Sequence, residues 1–133
     1  MINLSEKLGE MTFDGLITDI KPAPEVRGGV IRKLSAAATL KRGTILAKSS
    51  GTAGDGKLVI LGSTATTNET LTANCILVED VEVGTTADVT VLAYRTGHFA
   101  RNKLAVASSY TLKATDEEEL RKAGILLSDA IEY

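Results

Sequence analysis

The stretch ADVTVLAYRTGHFARNKL, residues 87–104, decides how this chain is read. In its first half Val89, Val91 and Ala93 fall on one face, the period-two alternation of a half-buried strand. Its second half, YRTGHFARNKL from Tyr94 to Leu104, holds the only histidine among 133 residues. Arg95, Phe99, Arg101 and Lys103 stand beside it. One reading is a catalytic or nucleic-acid site. The other is a strand end, a turn and the start of a further strand. For catalysis His98 needs partners. There is no second His for a metal, and Ser108 and Ser109 stand at no recognisable spacing, although triads are defined by geometry rather than by sequence order. For nucleic acid, three cations and Phe99 within one turn suit a patch, but the chain carries a net charge of −2 and lacks the concentrated basic face that displaces counterions. The structural reading is preferred. The strand turns around Gly97, Phe99 covers the end of the sheet, Asn102 helps the chain re-enter, and NKLAVAS follows as another strand.

Upstream, NCILVEDVEVG (74–84) contains a phase slip. Ile76 and Val78 share one face and Val81 and Val83 share another, so no straight strand buries both pairs on one side. A bulge or bend at Glu79–Asp80 restores the register. Earlier still, GGVIRKL reads as a strand, and LKRG as a turn ending in Gly43. The strand GTILAKS follows, and SSGTAGDGK with its Asp55-Gly56 signal joins it to KLVILGS as a hairpin. The Gly-rich loop lacks the phosphate-loop pattern and precedes a strand. STATTNETLTAN reads as a polar, Thr-rich linker or loop. Downstream, Thr115 and Glu118 form a capping box for one short helix of about eight residues. Asp116, Glu117 and Glu118 suit the positive end of its dipole, so the run of acids is read as helix-start charge and not as a metal site. Arg121 and Lys122 occupy the last turn, Gly124 stops the helix, and Leu120 and Ala123 are expected to dock on the sheet. GILLSDAIEY reads as a final strand or tail.

The length fits one domain, with an aromatic-poor core of Val, Ile, Leu and Ala that leaves room for packing against other copies. Basic residues (Arg27, Arg32, Lys33, Lys41, Arg42, Lys48, Lys57) gather early and acidic ones late, as two solvated faces or as complementary surfaces between copies. Cys75, the single cysteine, reads as a small buried hydrophobe. MINLSEKLGEM has no apolar signal region, and no run approaches the ~20 apolar residues of a membrane span, so an intracellular product without membrane contact is expected. Residues 1–20 read as an extended arm with scattered apolar residues, Ile2, Leu4, Leu8, Met11, Phe13, Leu16 and Ile17. A short N-terminal helix capped by Asn3 is the alternative. Pro22 and Pro24 in KPAPE form a stiff neck before one β-rich domain over 21–133.

Several pieces, in order, carry a resemblance: LITDIKPAP, LKRGTILAK, ANCILVEDVEV, VTVLAYRTGHFARNKL and DEEELRKAGILL. Over roughly Leu16 to Leu127 the chain resembles the head decoration (capsid cement) proteins of tailed bacteriophages. The family-like positions are Gly43, Thr44, Glu79, Asp80, Gly97, Phe99, Leu104 and Gly124; His98 has no family role. The resemblance implies a mainly β (α+β) fold, a barrel-like or β-tulip domain with one short helix. It implies a phage or prophage structural protein, a homotrimer on the three-fold positions of the expanded head. Its partners would be the major capsid protein and itself, with no nucleic acid. Made in the host cytoplasm, it would reside on the virion exterior, with the seven apolar arm residues ordering on the shell. No catalytic, cofactor or metal residues are expected. The competing readings are a small β-rich ligand- or carbohydrate-binding module, for which stacking aromatics are too few and scattered, and an enzyme using His98.

Overall fold

The structure, a computed structural model, describes residues 16–19 and 23–128. The strands are β1 (Ile17–Asp19), β2 (Glu25–Ile31), β3 (Ala38–Leu40), β4 (Ile45–Ser50), β5 (Leu58–Ile60), β6 (Thr70–Leu77), β7 (Val81–Val83), β8 (Val89–Ala100) and β9 (Ile125–Ser128). A helix, α1 (Ala114–Ala123), precedes β9. Five strands close on themselves in the order β2-β8-β6-β4-β5 and back to β2, giving the expected barrel. β2 pairs with β8 along its whole length, Glu25 to Ile31. The closing seam, β2 to β5, is parallel and rests on a single register pair, Ile31 with Leu58.

Apolar residues on both faces of the strands explain two cores. Ile31, Leu46, Leu58, Cys75, Leu77, Val91 and Ala93 come from all five strands and fill the interior. Leu40 and Val83, from the separate β3–β7 ribbon, join them. The neighbours of Leu46, Ile45 and Ala47, point outward, as alternation requires. With Val59, Leu61, Ala73 and Ile76 they form an outer core under α1 and β9 that takes in Leu16, Tyr94, Phe99, Leu120 and Ile125. Cys75 is fully buried, and burial pushes its thiol up to about 11.

Several local expectations are corrected. β8 does not turn at Gly97; it runs on through His98 and Phe99 to Ala100. NKLAVAS is not a strand: a 3-10 turn over Arg101–Lys103 leads to one isolated bridge, Ala105 with Thr44. The last part of the Thr-rich stretch, from Thr70, belongs to β6. The break at Glu79–Asp80 is larger than a bulge, because β6 ends at Leu77 and β7 pairs with β3 in the other sheet. The helix has ten residues and starts before Thr115. Its N-cap is Lys113, whose backbone N–H donates to Asp116 Oδ2 at 3.0 Å, so Asp116 and not Glu118 is the capping acid. Leu120 docks as expected, but Ala123 is exposed. Gly124 ends the helix and the chain enters β9 directly.

Candidate functional site

Several of the residues singled out from the sequence, among them Gly43, Thr44, Asp80 and Phe99, meet around one junction. Its centre is the stack of Arg42, Tyr94 and Phe99. The guanidinium of Arg42 lies 5.6 Å from the Tyr94 ring centre, and the Tyr94 and Phe99 rings are 5.2 Å apart. Arg42 Nη1 donates to Tyr94 Oη at 2.8 Å and to the Val78 carbonyl at 2.9 Å. Asp80 accepts the Arg42 backbone N–H at 2.8 Å, which with the Lys41 ammonium holds its carboxyl below the usual range. The Asp80 carboxylate therefore pins the 41–43 turn just where the chain passes from β6 to β7. Thr44 Oγ1 donates to the Lys41 carbonyl at 2.6 Å, the Gly43 N–H donates to the Leu77 carbonyl at 3.0 Å, and the Leu77 N–H donates to the Thr44 carbonyl at 2.9 Å.

Glycine is required at two points here. Gly43 has φ +92° and a Cβ there would stand 2.9 Å from the Lys103 carbonyl oxygen. Gly97 has φ +147° and a Cβ would stand 2.6 Å from the Phe99 ring. Leu104 is half-buried against the outer core, the Gly124 carbonyl accepts the Gly97 N–H at 3.2 Å, and Glu79 is exposed beside Asp80. Nothing local marks Arg42 and Tyr94 as partners: their contact spans 52 positions, and the sequence offers only a cation just before a turn glycine.

On the far side of Phe99 lies a second feature. β8 is flanked by β1, antiparallel, and β9, parallel. The Leu16 carbonyl accepts the Ala100 N–H at 2.7 Å, Ser128 is in register with Ala100, and Thr18 Oγ1 stands 3.4 Å from Ser128 Oγ. Given these strand directions, Leu16 and Ser128 lie at the same end of the domain, beside Ala100. Leu16 and Ile17, which the sequence places with the arm, pack on the domain: Leu16 is 1% exposed in the outer core and Ile17 pairs with Phe99. Ile2, Leu4, Leu8, Met11 and Phe13 lie outside the described residues, as does Pro22.

His98 lies at the wall of an open groove of about 540 Å³ between α1 and β9, with Glu117, Glu118, Arg121 and Leu126. Arg101 pairs with Glu117 at 2.8 Å and Arg121 with Glu118, so both carboxylates are already matched by cations. Among the described residues no three His, Cys, Asp or Glu side chains gather as metal ligands.

The other polar cluster spans the barrel seam. The Arg32 guanidinium donates to both Asp55 oxygens at 2.9 Å and to Glu69 Oε2 at 2.5 Å, while its backbone N–H donates to the Leu58 carbonyl. Ser49 Oγ donates to Glu69 as well, and Lys57 pairs with Asp88, which also accepts the Lys33 N–H. The Ser49 hydroxyl and then Arg32 hold the Glu69 carboxyl at about 2; Arg32 holds that of Asp55 at about 2. Such fork-shaped pairing fixes geometry as well as charge. The cluster is a clasp across the strands in which Arg32 holds Asp55 and Glu69 and Lys57 holds Asp88.

Two comparisons bear on this arrangement. The family model for the bacteriophage lambda head decoration protein D matches residues 27–125, from β2 to the first residue of β9. A search of curated proteins returns no match.

Proposed function

The chain belongs to the bacteriophage lambda head decoration protein D family, and from that membership we propose that it binds the outside of the expanded phage head as a homotrimer and stabilises it. The match over residues 27–125 carries the reading, because it spans the barrel from Arg27 in β2 onward, the junction around Phe99 and the helix. The major capsid protein is the proposed partner, the virion exterior the site of action and the host cytoplasm the place of synthesis. The paired carboxylates beside His98 support a structural protein over an enzyme.

Within this reading the residues before Leu16 form the shell-binding arm, with Ile2, Leu4, Leu8, Met11 and Phe13 as its apolar contacts, while Leu16 and Ile17 anchor it to the domain. An arm of this kind adds a strand to an exposed sheet edge, where main-chain hydrogen bonds and alternate side chains offset the cost of ordering. The test uses expanded heads that lack a decoration protein. The full-length protein is expected to co-sediment saturably and to raise the temperature at which the heads rupture. A chain lacking residues 1–15 is expected to stay folded and trimeric but to remain in the supernatant. Absence of binding by the full-length protein overturns the function; undiminished binding by the shortened chain overturns the role of the arm.

A further inference from the structure

We propose that Asp55–Gly56 is a site of spontaneous backbone isomerisation that Arg32 holds shut, so that the clasp on the barrel seam also sets how fast the domain ages. The chemistry needs only water. The Gly56 backbone nitrogen attacks Asp55 Cγ; a C–N bond forms, the Cγ–OH bond breaks, and the amide proton leaves with the hydroxyl as water, giving a five-membered imide. Water then adds at the former main-chain carbonyl of Asp55 and breaks its bond to nitrogen. The product runs its backbone through Cβ and Cγ and carries the free carboxylate on Cα. Glycine at position 56 offers no side chain to obstruct the attack.

The carboxylate and the backbone N–H groups of this dipeptide are all engaged. Both carboxylate oxygens accept guanidinium bonds from Arg32 at 2.9 Å, and Oδ1 accepts the Lys57 N–H at 3.0 Å. The Gly56 N–H, which must be lost, donates to the Ser49 carbonyl at 3.1 Å. The Asp55 N–H donates to Ser49 Oγ at 3.3 Å. Arg32 also keeps the carboxylate ionised, whereas the reaction expels a hydroxyl from its protonated form. The loop is exposed, so water is present. Clasp and product exclude one another: an extra backbone carbon and a relocated carboxylate cannot reproduce the fork that joins Arg32 to Asp55.

The test incubates the wild-type protein, Arg32→Gln and Arg32→Lys at neutral pH and physiological temperature, and measures isoaspartate at position 55 by peptide mass spectrometry. Charge-assisted bonds of this class correspond to roughly a tenfold or greater effect on rate. Arg32→Gln is expected to accumulate isoaspartate at least about tenfold faster than wild type. Arg32→Lys should fall between, since an ammonium keeps the charge but not the fork. If a variant does not fold, the wild type answers alone: its folded form should isomerise at least about tenfold more slowly than the same chain in denaturant. Equal rates in either comparison overturn the proposal.

Discussion

At position 97 an added Cβ would press on the Phe99 ring, 2.6 Å away, and the backbone there has a φ that L side chains rarely adopt. Gly97→Ala is therefore expected to cost on the order of 2 kcal/mol, and Phe99→Ala, which empties a fully buried ring site, roughly 3–5 kcal/mol; urea unfolding measures both. His98, between them in sequence, lies at an open groove wall, and His98→Ala is expected to change stability by less than about 1 kcal/mol. A collapse of stability in His98→Ala contradicts the assignment of structural weight to the two flanking positions. The burial of Phe99 and Cys75 was legible in the sequence, since residue type alone narrows where an aromatic ring or a small thiol goes; the turn expected at Gly97 is instead part of β8. The sequence did not reveal Arg42 over Tyr94, because nothing local marks a contact across 52 positions.

The elements divide in the same way, by how local their cause is. The phase slip between Val78 and Val81 was legible, since period two cannot tolerate it, but not that β7 would leave the barrel for β3. NKLAVAS reads as a strand because small apolar residues recur in it. What makes a strand is a partner, and only Ala105 finds one. The helix was legible from its acids and Gly124, with its start displaced because Asp116 caps the Lys113 N–H. Leu120 is its only fully buried apolar side chain, so Leu120→Ala is expected to cost roughly 2–5 kcal/mol and to free α1 first in hydrogen exchange. The β2–β5 seam has one register pair and the Arg32 clasp. Asp55 and Glu69 titrate at about 2 in the fold against 3.8 and 4.5 in a free chain. Depressed carboxylates bind protons less readily when folded, so their stabilisation is complete above the free-chain values and is lost as pH falls from about 4.5 toward 2. Thermal melts across that window should fall for the wild type and fall less for Glu69→Gln, which has already lost part of the clasp; parallel curves contradict it.

For the whole molecule, the mainly β fold with one short helix followed from the sequence pattern and the family resemblance. That Leu16 and Ile17 pack on the domain did not. Leu16 and Ile17 look like their scattered apolar neighbours in the sequence, and only the third dimension places one in the outer core and the other beside Phe99. Light scattering at tens of micromolar should give a trimer; a stable monomer counts against that part of the account. Leu16 and Ser128 lie together at one end of the domain, and with the arm proposed to bind the shell that end is the one expected to face it. The most direct test is electron cryomicroscopy of expanded heads mixed with the purified protein. The account predicts three-fold clusters of density on the outer surface, each barrel oriented with its Leu16–Ser128 end toward the shell and strand-like density continuing from Leu16 into it. Bare heads, or barrels bound with that end pointing away from the shell, would contradict it.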